Sequence, residues 1–75
     1  MSTQQLSDGQ WVETTNVSKV ELFVQNQNLL VTLKTGHLVG VHGPGALQDV
    51  DMFDKMRKTE YLTYSVYRHS KSYKS

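Results

Sequence analysis

Apolar and polar residues alternate most regularly between Val20 and Leu33. Val20, Leu22 and Val24 are interleaved with Glu21, Phe23 and Gln25, the period-two signature of a strand with one buried face. Phe23 falls on the nominally outer face, so that face is expected to be partly covered. Asn26-Gln27-Asn28 supplies a reversal, because asparagine tolerates the left-handed backbone of tight turns. Leu29, Val31 and Leu33 then point one way while Leu30, Thr32 and Lys34 point the other, which completes a hairpin. Thr35-Gly36-His37 turns the chain again. Leu38 to His42 reads as a third strand, in which Gly40 leaves room for a bulge or a close neighbour.

Gly43-Pro44-Gly45 ends this meander, since proline cannot donate to a sheet ladder. Beyond it Leu47, Val50, Phe53 and Met56 recur at threes among Gln48, Asp49, Asp51, Asp54 and Lys55, predicting an amphipathic helix of about three turns. Its acids come early and Lys55, Arg57 and Lys58 late, as the helix dipole favours. Glu60 to Arg68, rich in β-branched and aromatic residues, predicts a last strand. Leu62, Tyr64 and Val66 share its inner face; Tyr61, Thr63, Ser65 and Tyr67 share its outer one. Thr14-Thr15-Asn16 and Ser18 mark a turn, and Trp11 is expected in the core or over a sheet edge.

The expected fold is therefore α+β, a small antiparallel β-meander of three to four strands packed on one short α-helix. Residues 1–10 are expected to be disordered, 11–68 to form a single domain and 69–75 a basic flexible tail. The expected core is Val20, Leu22, Val24, Leu29, Val31, Leu33, Val41, Leu47, Val50, Phe53, Met56, Leu62 and Val66.

This order of signals resembles the small KTSC domain of bacterial and phage proteins, named for its occurrence at the C-terminus of a lysyl-tRNA synthetase. The likeness rests on the strand LLVTLKTG, a second strand closing on Gly43-Pro44, a short helix, and Tyr61-Leu62-Thr63 followed by Val66 and Arg68. It covers residues 20 to 68. This chain departs from the family pattern at Leu38, Val39 and Val41, where the family carries tyrosines, at Gly43-Pro44 in place of Val-Pro, and at Lys58-Thr59 in place of Ser-Gly. The resemblance implies a compact meander with a helix and, through the association with a synthetase, a nucleic-acid role.

A chain of 75 residues buries only ~60% of its extended surface, so the core is expected to be thin. With no cysteine, neither disulfides nor thiolate zinc sites supplement it, and self-association would. No run approaches the ~20 apolar residues of a membrane span, and MSTQQLSDGQ lacks a signal-peptide pattern, so a cytoplasmic protein is expected. The net charge of +1 hides an asymmetry. Up to Asp54 the balance is −4, from Lys19 and Lys34 against Asp8, Glu13, Glu21, Asp49, Asp51 and Asp54. From Lys55 onward it is +5, from Lys55, Arg57, Lys58, Arg68, Lys71 and Lys74 against Glu60. An anionic partner at the C-terminal end, or head-to-tail contact between copies, would follow from that polarity, as would a simple solvated tail.

Enzyme signatures are absent: no phosphate-cradling GxxxxGK[ST], no GxGxxG, no nucleophile elbow and no thiol. Gly43-Pro44-Gly45 reads as a turn rather than a phosphate loop. His37 and His42, at opposite ends of one strand, read as surface residues rather than as metal ligands with Asp49 or Asp51. The three aspartates read as solvated helix turns rather than acid-base pairs. Neither a metal nor a cofactor is expected.

The constellation that stands out is Arg57, Lys58, Tyr61, Tyr67, Arg68, Lys71, Tyr73 and Lys74. Cations interleaved with rings suit phosphate neutralisation and base stacking, the rings contributing about 1–3 kcal/mol per base. The function expected first is a non-enzymatic binding module of bacterial or phage type, acting by protein-protein interaction through target occlusion or homo-oligomer assembly. The alternative is binding of nucleic acid or an anionic nucleotide through this C-terminal segment, including a ligand enclosed between subunits. No membrane partner is expected.

Overall fold

A computed structural model describes residues 3–69. In order, the strands β1 (Thr3–Gln5) and β2 (Trp11–Glu13) are followed by a 3-10 turn (Thr14–Asn16). Then come β3 (Val17–Phe23), β4 (Asn28–Leu33), β5 (Leu38–His42), the helix α1 (Gly45–Thr59) and β6 (Ser65–His69). The fold is α+β: α1 packs against a four-stranded sheet of order β5-β4-β3-β6, and β1 and β2 make a small second sheet. No helix among the described residues is long and apolar enough to cross a membrane.

The three middle strands form the expected antiparallel meander, with Val20 opposite Val31 and Leu22 opposite Leu29, and Val31 in turn opposite Val39. The fourth strand corrects the expectation of a purely antiparallel sheet, since β6 pairs with β3 in parallel. The helix is the reason. Fifteen helical residues span about 22 Å, enough to carry the chain from the end of β5 back to the end at which β3 begins. The next strand must then run the same way as β5 and β3. That strand is also shorter than expected, because residues 60–64 are spent ending the helix and entering the sheet.

Alternation along the strands puts Val20, Leu22, Leu29, Val31 and Val41 under the helix, where they are buried with Ala46, Val50, Phe53 and Tyr64. Two expected core residues lie outside it, Val24 at 38% and Leu47 at 37% exposure, and Met56 is only half-buried. Val24 follows the last residue of β3 and belongs to the turn, so strand alternation no longer governs it. Leu47 and Met56 fail for a helical reason. Nine residues at about 100° each place them about 180° apart, so one helix cannot bury both. The buried stripe is Ala46, Asp49, Val50 and Phe53. Its spacing is the i, i+3, i+4, i+7 of a single face. Trp11 is a further correction, being 66% exposed while its neighbour Val12 turns inward.

Within the segment expected to be disordered, residues 3–10 are instead strand and turn, and Met1 and Ser2 lie outside the described residues. Thr3 pairs with Glu13 and Gln5 with Trp11, and the Ser7-Asp8-Gly9 turn closes with Gly9 at φ +96°. Leu6, from that turn, is 3% exposed and joins the core. Asp49, expected in solvent, is likewise 3% exposed, and it accepts a hydrogen bond of 3.0 Å from the Ser7 amide. Gly45 makes the same approach feasible, since a methyl group there would run into the Ser7 side chain. The hairpin is thus fastened to the first turns of α1 and completes the layer that the helix begins. On the opposite side of the core the Tyr64 hydroxyl donates to the Phe53 carbonyl, and burial pushes its pKa up to about 12.

Candidate functional site

The described members of the expected basic and aromatic constellation do not share one surface. Tyr67 and Arg68 are neighbours on a strand, and successive strand residues face opposite ways. Arg68 pairs in register with Leu22, on the helix side of the sheet, and Tyr67 with Glu21 on the other. From there Arg68 reaches α1, with Nη2 2.9 Å from Asp51 Oδ1 and Nη1 3.7 Å from Asp54 Oδ2. Arg57 Nη2 lies 3.1 Å from Asp54 Oδ1, and Lys58 Nζ lies 3.9 Å from Asp54 Oδ2. Three of the expected cations are thus gathered around two carboxylates of the same molecule. Each such exposed pair contributes little to stability, about 0.2–1 kcal/mol, but together they clip the edge strand to the helix. Their charge is largely answered within the chain.

Tyr61 stands apart from this cluster, on the turn after α1, and is 90% exposed. Lys71, Tyr73 and Lys74 lie outside the described residues. His37 contacts Thr35 through Nδ1 at 3.2 Å, and His42 contacts Asn28, so the two histidines are engaged at opposite ends of β5.

What the register assembles instead is the sheet face turned away from the helix. The residues alternating with the core positions are Lys19, Glu21 and Phe23 on β3, Asn28, Leu30 and Thr32 on β4, Leu38, Gly40 and His42 on β5, and Ser65, Tyr67 and His69 on β6. A solvated sheet face is ordinarily polar, and this one is mixed. Phe23 stacks on His69 with ring centroids 4.7 Å apart and planes 17° apart, and Tyr67 follows at 6.5 Å from His69. His69 Nε2 also lies 3.3 Å from Glu21 Oε2, and Lys19 Nζ 3.4 Å from Glu21 Oε1. The Phe23 face, expected to be partly covered, carries these rings side by side, with Phe23 itself half-buried. Leu38 is 66% exposed and Tyr67 47%.

Two features at the β5 edge were not legible as a site. Bonds from the Leu33 amide to the His37 carbonyl and from the Gly43 amide to the Gln27 carbonyl fix the inward-bonding positions of β5. Leu38, Gly40 and His42 consequently turn their backbone groups outward. Gln10 takes up one of these, its Nε2 donating to the Gly40 carbonyl at 3.4 Å. The second feature is the glycine itself. A Cβ on Gly40 would meet Leu30 Cδ2 at 3.9 Å and the Leu29 carbonyl at 4.0 Å, ordinary contact distances, and its φ lies outside the left-handed region. Nothing among the described residues requires a glycine there, although glycine inside a strand costs about 0.5–1 kcal/mol relative to alanine.

Comparison with protein-family models, with curated proteins and with solved structures returned no match.

Proposed function

We propose that this chain is a non-enzymatic binding module of bacterial or phage type whose partner is a protein, in the first instance a second copy of itself. One observation carries the reading. The sheet face away from the helix carries Leu30, Leu38 and Tyr67 among its polar residues, with a gap at Gly40 that no described residue fills. A mixed face with such apolar residues beside an open strand edge is one that a second sheet or an added strand can cover. Lys19 and Glu21 lie together on that face, so two copies related by a two-fold axis can exchange lysine-glutamate contacts. That is the self-complementarity an isologous dimer needs. A module of KTSC type, small and free of catalytic motifs, would fit this role.

Sedimentation velocity of the full chain over a wide concentration range tests it, with Leu38→Lys as the variant. Leu38 is exposed and outside the core, so the variant should fold as the parent does. Association that weakens at least about tenfold in the variant supports the reading. A parent that stays monomeric and captures no protein partner, or a variant that associates as well as the parent, removes it.

A second reading has its own support in the row of rings Tyr67, His69 and Phe23. Stacked rings on an open sheet face are a platform for unpaired bases. Nucleic-acid affinity would then fall steeply between low and moderate salt, whereas association through Leu38 and Leu30 would not.

A further inference from the structure

Where β3 begins, β4 ends and β6 approaches, the sheet is irregular, with a register shift between Val17 and Lys19. A hollow of about 210 Å³ opens at this end, lined by Thr14, Thr15, Val17, Lys34, Tyr61, Leu62 and Thr63. It is smaller than the roughly 300–1,000 Å³ that hold a whole drug-sized ligand. One side chain would occupy it.

Tyr61 is the unusual residue here. The helix closes with the Leu62 amide donating to the Arg57 carbonyl at 3.0 Å, which makes Tyr61 the residue that must take the left-handed conformation, and its φ is 56°. Glycine is the usual occupant of that position, because a Cβ is strained there. In this chain the position holds a tyrosine whose ring is 90% exposed. An exposed ring that packs on nothing does not offset the strain within the fold. Strain of this kind gathers where a ligand is held.

The charges name the ligand. Lys34 makes no ion pair among the described residues, so its ammonium is free for a guest. The Thr15 hydroxyl, by contrast, is already donated to Glu13 Oε2 at 3.2 Å. Lys34 is the one charged residue lining the hollow, and a lone cation suits a single negative charge better than a doubly charged phosphate or a polyanion. Val17 and Leu62 offer apolar contact to the methylenes that carry an acidic group.

We propose that this hollow takes one carboxylate of a protein partner, from a glutamate, an aspartate or a chain end, seated on Lys34 and lying against the ring of Tyr61. The inference rests on the protein-binding reading above but uses a different surface, at the bulged end of the sheet. The two can therefore fail separately.

The test is an amide NMR titration of the full chain with a capped tripeptide containing glutamate, the same peptide with glutamine, and inorganic phosphate. The expected result is saturable shifts at Thr15, Lys34, Tyr61, Leu62 and Thr63 with the glutamate peptide, at least about tenfold weaker with glutamine. Tyr61→Gly should raise the thermal midpoint by about 5 °C while weakening the peptide at least tenfold. Lys34→Gln should weaken it similarly with the midpoint unchanged. If no amide in the hollow shifts, if phosphate binds there more tightly than the peptide, or if Tyr61→Gly binds as well as the parent, the inference is overturned. Self-association measured on the same samples keeps the open-face reading in view: hollow failure with association intact removes this inference alone.

Discussion

The two faces of the four-stranded sheet are made by the same alternating residues, yet they behave as different materials. Under the helix, Val20, Leu22, Leu29 and Val31 are fully buried and contact one another, Val50 and Phe53. On the other face Phe23 and Tyr67 form a row of rings with His69, and Leu30 is half-buried beside Gly40. The first face holds the fold together. The second consists of residues on which the core does not depend, and it is where the proposed partner would sit.

Two phenylalanines test the contrast directly. Phe53 is fully buried and makes an edge-on contact with Tyr64 at 5.9 Å, so Phe53→Ala should cost about 3–5 kcal/mol. In a protein of this size such a loss leaves little folded chain. Phe23 is half-buried and stacks on His69, and Phe23→Ala should cost less, about 1 kcal/mol in chemical denaturation. Equal costs would make the open face a second core and end the comparison.

Next in size is the fastening of the N-terminal hairpin. Gly45→Ala forces a methyl into the Ser7 side chain, and because the neighbour is tied by its amide to Asp49, relief requires moving the hairpin. About 1–3 kcal/mol should be lost. Hydrogen exchange at the Ser7 amide should quicken along with it. An alanine variant as stable as the parent, with Ser7 still protected, would show that the contact yields without cost.

Tyr64 gives a smaller and pH-dependent effect. Unfolded tyrosine ionises near its ordinary value of 10.0, while burial holds the folded hydroxyl protonated to about 12. Between those values the unfolded chain has released a proton that the folded chain retains. Stability contributed by Tyr64 is therefore complete below pH 10 and lost as pH rises towards 12, at up to about 1.4 kcal/mol per pH unit. Tyr64→Phe should lose about 1 kcal/mol at neutral pH, the worth of one hydrogen bond, and flatten the alkaline slope. A slope unchanged in the variant would assign alkaline unfolding to other groups.

Period and turn chemistry were enough to read the central meander, because in β3 and β4 Val20, Leu22, Leu29 and Val31 are buried on the face that their alternation implies. Three features escaped for physical reasons. The hairpin at the N-terminus is built from glutamines, whose burial depends on one leucine, Leu6, and on the Ser7-Asp8-Gly9 turn rather than on any apolar run. The helix phase was misjudged because residues three apart drift around a helix, so that Leu47 and Met56 could not share the face of Phe53. The direction of β6 is a consequence of where α1 delivers the chain, which no local pattern states. Of the expected site, proximity in sequence suggested one surface, but strand alternation divides Tyr67 from Arg68 and helix carboxylates engage the cations. Asp51 and Asp54, three residues apart on the helix, were the available signal. Gly40 and Tyr61 are the converse cases. They are visible in the sequence, but become informative only once the backbone shows that the first does not need to be glycine and the second would be easier as one.

Gly40→Val is the smallest expected change in stability and the sharpest probe of the open face. The added branches enter space whose nearest occupant is 3.9 Å from the new Cβ, and the strand gains a β-branched residue without leaving its ordinary backbone region. The isolated chain should therefore become more stable, by about 0.5–1 kcal/mol, where most substitutions would destabilise. If the gap at Gly40 serves a partner, the same valine fills it and self-association should weaken even as the thermal midpoint rises. A variant that is both more stable and equally associated would show the glycine to be unused, and would leave the open face without its clearest sign of an occupant.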